Sequence, residues 1–161
     1  MANATLGAWK PGNLPTNGQW NCLIYGNNLF VATSLTSPYI CTSLDGITWT
    51  PRTAPYPQCS SVAYGNGVFV AIAISTGTNI STDGITWTIS LTFPLTNAYS
   101  IVYGNGLFVA LTNGGGCATS PDGITWTPRT VPSGSYRNSI YANGLFIATA
   151  YNQNFLITSP D

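Results

Sequence analysis

The side chains able to do acid–base or nucleophilic chemistry are few. The anions are Asp45, Asp83, Asp122 and Asp161, the cations are Lys10, Arg52, Arg129 and Arg137, and there is no Glu and no His. Two carboxyl groups about 5 to 9.5 Å apart would support glycoside hydrolysis. Each Asp, however, stands in its own copy of a recurring phrase, at "SLDG", "STDG", "SPDG" and a final "SPD". Such carboxylates sit at separate turns and cannot pair within one chain. Without His, neither Ser-His-Asp nor Cys-His catalysis can be assembled. Cys22, Cys41, Cys59 and Cys117 contain no C-x-x-C spacing. They read as buried or free thiols packing as small hydrophobes rather than as a zinc site or a disulfide framework, although spacing alone does not decide whether any of them pair. "NGGGC" at 113–117 is glycine-rich, but no helix follows to aim amides at a phosphate, so it reads as a loop. The expectation is a protein that is not an enzyme, with no cofactor and no metal.

The elements that hold these residues come from a chain of 161 residues, 5% charged and with a formal net charge of zero. That charge supplies no basic field for phosphates, which argues against nucleic acid as a partner. No apolar run approaches the ~20 residues of a membrane helix, so membrane insertion is not expected. The opening "MANATLGAWKPG" lacks the basic and apolar regions of a signal peptide.

Four copies of one phrase organise the chain: "YGNNLFVA" from Tyr25, "YGNGVFVA" from Tyr64, "YGNGLFVA" from Tyr103 and "YANGLFIA" from Tyr141, at intervals of 39, 39 and 38 residues. A period near 40 belongs to propeller blades. In the second copy, strands A to D are expected near 59–64, 68–74, 78–81 and 85–90. Asn66-Gly67 and Asp83-Gly84 are the dipeptides that favour type I′ hairpins. The predicted fold is all-β, a four-bladed propeller of four-stranded antiparallel blades forming one domain over 1–161. The blades fall near 20–50, 58–90, 97–129, and 136–161 plus 1–10. The sequence ends on a strand C, and Trp9 followed by Pro11 repeats the W-T-P of Trp49 and Trp126. The N-terminal segment is therefore expected to supply the last strand D, pairing with the C-terminal blade to close the ring and remove its sheet edges. In so small a ring the channel lined by strand A is expected to admit an ion or waters rather than a large ligand.

The S-x-D-G-x-T-W phrase, at Ser43–Trp49, Ser81–Trp87 and Ser120–Trp126, resembles the Asp-box (BNR) of sialidase-type propellers, one residue shorter between Asp and Gly. Together with Y-G-N-G-x-F-V-A it is similar to repeats in bacteriophage tail and surface proteins. The resemblance implies structural roles: Asp45, Asp83, Asp122 and Asp161 as turn carboxylates, and Trp49, Trp87 and Trp126 as fillers between blades. It does not carry sialidase activity, which depends on a Glu supporting a Tyr nucleophile.

The topology places the near-identical A-to-B and C-to-D turns on one face and the variable D-to-A and B-to-C loops on the other. Loops on a rigid scaffold are where function concentrates. Every cation falls in or beside a D-to-A loop, with Trp20, Tyr56, Phe93, Tyr99 and Tyr136 nearby. The candidate contact residues are therefore Lys10, Trp20, Arg52, Tyr56, Phe93, Tyr99, Arg129, Tyr136 and Arg137. Aromatic faces with sparse Arg and amides suit sugar rings, which leads to a lectin-like, carbohydrate-binding virion protein at a virion or extracellular surface. The same residue types also suit docking to another protein, so the alternatives are a decoration or assembly subunit on a capsid or fibre protein, and an engineered or model propeller scaffold.

Overall fold

Tight asparagine-bearing turns and short apolar runs dictate the local structure. In the computed structural model, which describes residues 11–75 and 77–161, Asn66 and Gly67 take φ of 48° and 77°, the left-handed pair that a type I′ hairpin requires. Fifteen strands result among the described residues. Blade 1 is β1 (Trp20–Gly26), β2 (Leu29–Ser34), β3 (Tyr39–Ser43) and β4 (Thr50–Thr53). Blade 2 is β5 (Cys59–Gly65), β6 (Val68–Ala73), β7 (Gly77–Ser81) and β8 (Thr88–Ser90). Blade 3 is β9 (Ala98–Gly104), β10 (Leu107–Thr112), β11 (Gly116–Ser120) and β12 (Thr127–Thr130). Blade 4 shows β13 (Tyr136–Ala142), β14 (Leu145–Ala150) and β15 (Leu156–Ser159). Each blade is an antiparallel meander in chain order, and together they form a four-bladed β-propeller. The expected closing strand, with Trp9 and Lys10, lies outside the described residues.

The Asp-Gly pairs differ from the hairpin expectation. Six residues, Thr82 to Trp87, separate β7 from β8, because the Asp side chain organises a wider turn than a two-residue hairpin allows.

The core lies between blades rather than within one. Phe69, Val62 and Trp87 of blade 2 meet Leu29, Val31 and Ile40 of blade 1, and Phe108 and Trp126 of blade 3 meet Val70 and Ile72 of blade 2. Full burial of side chains of this size stabilises by about 1.5–3 kcal/mol each. Between blades 3 and 4, Val109 and Leu111 meet Phe146 and Ala148. There, beside Val109, Leu111, Phe146 and Ile157, lies a cavity of about 430 Å³. In the two earlier seams Trp87 and Trp126 belong to the packed apolar cluster.

The inner strands pack in succession through one repeated contact. A Cβ placed on Gly26, Gly65 or Gly104 would come within 2.4, 2.1 and 2.0 Å of the rings of Tyr64, Tyr103 and Tyr141 respectively. The Tyr of blades 2, 3 and 4 therefore lies directly on the preceding blade's glycine backbone.

Candidate functional site

The carboxylates are used up by their own turns. Asp45 Oδ1 accepts from Ser43 Oγ at 2.9 Å, from the Ile47 N–H at 2.8 Å and from the Thr48 N–H at 2.7 Å. Asp83 and Asp122 repeat the pattern with Ser81, Ile85 and Thr86, and with Ser120, Ile124 and Thr125. Trp49, Trp87 and Trp126 donate their indole N–H to Gly46, Gly84 and Gly123 carbonyls, while Ser159 Oγ donates to Asp161. The Thr48 and Ile47 amides hold the Asp45 carboxyl far below its ordinary range. Those of Thr86 and Ile85 bring Asp83 down to about 2. At Asp122 burial works in the opposite direction, and the Thr125 and Ile124 amides outweigh it.

A depressed folded-state pKa contributes stability that is present above the ordinary carboxylate pKa and is lost as pH falls through the folded value. Melting temperature is therefore expected to hold from neutral pH down to about 5 and to drop between about 4 and 2. Asp83→Asn should flatten that drop in a pH series of thermal melts, and an unchanged acid limb would refute the assignment.

All four cysteines are free thiols. Burial pushes Cys59 up to about 12 and Cys41 and Cys117 up to about 11, so these three stay protonated and unreactive near neutral pH.

On the variable-loop side the expected contact residues separate. Arg52 and Arg129 lie on the outer strands β4 and β12, not on loops, and each donates its Nε–H to a threonine of the neighbouring strand, Thr42 and Thr119, at 3.0 Å. Phe93 stands edge-on to Trp126 with centroids 5.0 Å apart. Trp20 is half-buried and donates to the Thr16 carbonyl at 3.3 Å. Tyr56 packs on the seam between blades 1 and 2. Its backbone is clamped by Asn79, whose Oδ1 accepts from the Tyr56 N–H at 2.9 Å and whose Nδ2 donates to the Tyr56 carbonyl at 2.8 Å. Tyr136 corrects the expectation of an exposed contact: it is completely buried, with its hydroxyl donating to the Pro132 carbonyl at 2.7 Å. Lys10 lies outside the described residues.

What remains is set by a feature common to all four inner strands. The register slips by one residue between Trp20 and Cys22, between Cys59 and Ser61, opposite Leu111/Thr112, and between Tyr136 and Asn138. The bulged residues are Asn21, Ser60, Tyr99 and Arg137. A bulge re-aims its side chain out of the ladder, and here all four line one central cavity of about 610 Å³ at its variable-loop end. The cavity is wider than the ion-sized channel the sequence suggested, and lies within the range of small-ligand sites.

Neighbouring bulges are linked. Asn21 Nδ2 donates to the Ser60 carbonyl, Ser60 Oγ donates to the Ala98 carbonyl at 2.9 Å, and the Arg137 guanidinium lies 5.2 Å from the Tyr99 ring centre. Arg137 also lies over the ring of Tyr151, at the start of the loop between β14 and β15, 4.2 Å from its centre. Tyr151 and Asn79 were missed at the sequence level. Both depart from the repeat, and that departure is the signal that could have found them. The resulting site is one cation lying over two aromatic rings, rimmed by an amide and hydroxyls, with every Asp held at the opposite end of the blades.

No family model and no curated protein matches the sequence. Among solved structures, YCF48 from Cyanidioschyzon merolae is similar at 22% identity and a TM-score of 0.73, over 95% of this chain and 56% of that one. The chain is a β-propeller. YCF48 bound to D1 peptide is similar at 20% identity and a TM-score of 0.71, over 91% of this chain and 53% of that one. Virginiamycin B lyase from Staphylococcus aureus gives 13% identity and a TM-score of 0.77 over 94% and 59%. The computationally designed Ika4 protein gives 11% and 0.71 over 95% and 98%. The propeller thus spans a little over half the length of YCF48 and of the lyase. No helix among the described residues is long and apolar enough to cross a membrane.

Proposed function

We propose that this propeller is a non-enzymatic recognition module that binds a peptide segment of a partner protein at the bulge ring, with Arg137 receiving a carboxylate. The observation carrying this reading is the guanidinium of Arg137 lying over both the Tyr99 and the Tyr151 ring at the mouth of the central cavity. Stacking on a ring face does not use up the N–H donors of the planar group, which a carboxylate can engage in bidentate fashion. A similar propeller, YCF48, has been seen bound to D1 peptide, which supports a protein ligand for the fold. A sparsely charged surface suits a partner within a larger assembly such as a virion.

The glycan reading draws on the same face, but Trp20, Tyr56, Phe93 and Tyr136 are engaged in packing, and Arg137 covers a face of both Tyr99 and Tyr151. Few open rings are left for sugar stacking. Arrays of peptides with free and amidated C-termini, probed beside a glycan array, test the proposal. Binding is expected to free-carboxylate or acidic peptides. Arg137→Gln should weaken it by about 1.5–3 kcal/mol, roughly ten- to a hundredfold, with the melting temperature unchanged. Glycan hits with silent peptides would overturn it.

A further inference from the structure

We propose that a second copy of this chain covers the open faces of blades 1 and 4, head to tail, so that two copies make one ring of eight blades. Leu23, Phe30 and Trp49 of blade 1 occupy the repeat positions of Val62, Phe69 and Trp87, which are buried in the seam between blades 1 and 2. Yet Leu23 is 59% exposed and Tyr25 also 59%, and Phe30 and Trp49 are only half-buried. On blade 4, Leu145, Ile147 and Leu156 stand where blade 1 has the buried Leu29, Val31 and Ile40, and Leu156 is 55% exposed beside Ile140 at 53%. Both faces therefore carry the residues of a blade–blade seam, and apolar surface of this kind marks an interaction site.

Within one chain the two faces do not cover each other: β1 packs against β5 and β13 against β9, while Leu23 and Ile140 remain more than half exposed. The chain's first described residues lie along blade 1, with Asn13 bridged to Thr48, not along the edge of β15, which has no partner among the described residues. The match to Ika4 covers 98% of that chain. The apolar seam faces of blades 1 and 4 stay open, and the four blades superpose on 53–59% of longer propellers. A second copy continues the seam already used three times. Because the contact is head to tail, two such seams close a ring, and Asn21 of one copy joins the wall that carries Arg137 of the other.

The seam differs from the internal ones at one position. Ala142 replaces the glycine under the tyrosine ring, so Tyr25 of the second copy must sit away from that Cβ, and the contact is looser. Light scattering on the full chain is expected to give twice the 17.0 kDa chain mass at high concentration, dissociating on dilution, with Ala142→Gly binding more tightly. Leu23→Glu and Leu156→Glu, each on a side chain already more than half exposed, should each give folded monomers by circular dichroism, with dimer affinity down about tenfold or more from the buried charge. A single-chain mass at every concentration for both the parent and Ala142→Gly would overturn the proposal. So would a ladder of higher oligomers, or dimers that persist in both Glu variants.

Discussion

Trp87→Ala and Trp126→Ala are each expected to lower the free energy of unfolding by about 3–5 kcal/mol, the range for removing a large buried aromatic. Both indoles are buried between blades and both also close their own turn through an N–H to a glycine carbonyl. Truncation therefore leaves a cavity in a seam and an unpaired carbonyl beside it. Against a total of about 5–15 kcal/mol for a domain, this is a fifth of the stability or more. Melting should fall by roughly 2–4 °C per kcal/mol for a chain of this size. Trp20→Ala provides the contrast, since that half-buried ring has a single N–H to the Thr16 carbonyl. Urea titrations of the three variants decide the matter: equal losses at Trp20 and Trp126 would mean that seam burial does not set the cost.

Gly104→Ala is expected to destabilise by about 1–3 kcal/mol or more through overpacking, although Gly104 makes no side-chain contact of its own. The new Cβ would fall 2.0 Å from Cγ of Tyr141. That atom sits at the root of the ring, so it cannot swing away as the tip of a long side chain could. The neighbouring blade would have to shift. In a Tyr141→Ala background the ring is gone, and the same glycine replacement should cost much less. A double-mutant cycle by chemical denaturation measures the difference. A cost unchanged by removing Tyr141 would show that the glycine serves backbone conformation, not the seam.

The repeat made the propeller legible because each blade solves one packing problem with the same phrase, and a period near 40 leaves few alternatives. Strand bounds in blade 2 came within a residue for strands A to C. Strand D starts later, at Thr88, because Asp83 captures the Ile85 and Thr86 amides that a strand beginning there would have spent on its ladder. The site was harder to read. Tyr136 and Arg137 are adjacent aromatic and cationic residues, and composition assigns them the same role. Side chains alternate along a strand, and the bulge at this point turns Arg137 into the cavity while Tyr136 goes to the core. A bulge leaves only one extra residue in one strand, which a phrase alignment anchored on the distant Tyr-Gly turn does not register. Arg52 and Arg129 fall beside the D-to-A loops, but the outer strand extends through the W-T-P-R segment, so each side chain bonds to a threonine of the neighbouring strand.

The turn geometry also separates charge. Backbone amides confine the Asp45, Asp83 and Asp122 carboxylates, and the Ser159 hydroxyl that of Asp161, to one end of the blades, while Arg137 stands at the other mouth of the cavity. With no net charge, the molecule has little overall attraction to any surface. It nonetheless carries an electric dipole along the ring axis. Approaching a charged partner, it would be turned before it was drawn in, with the cationic mouth facing an acidic target.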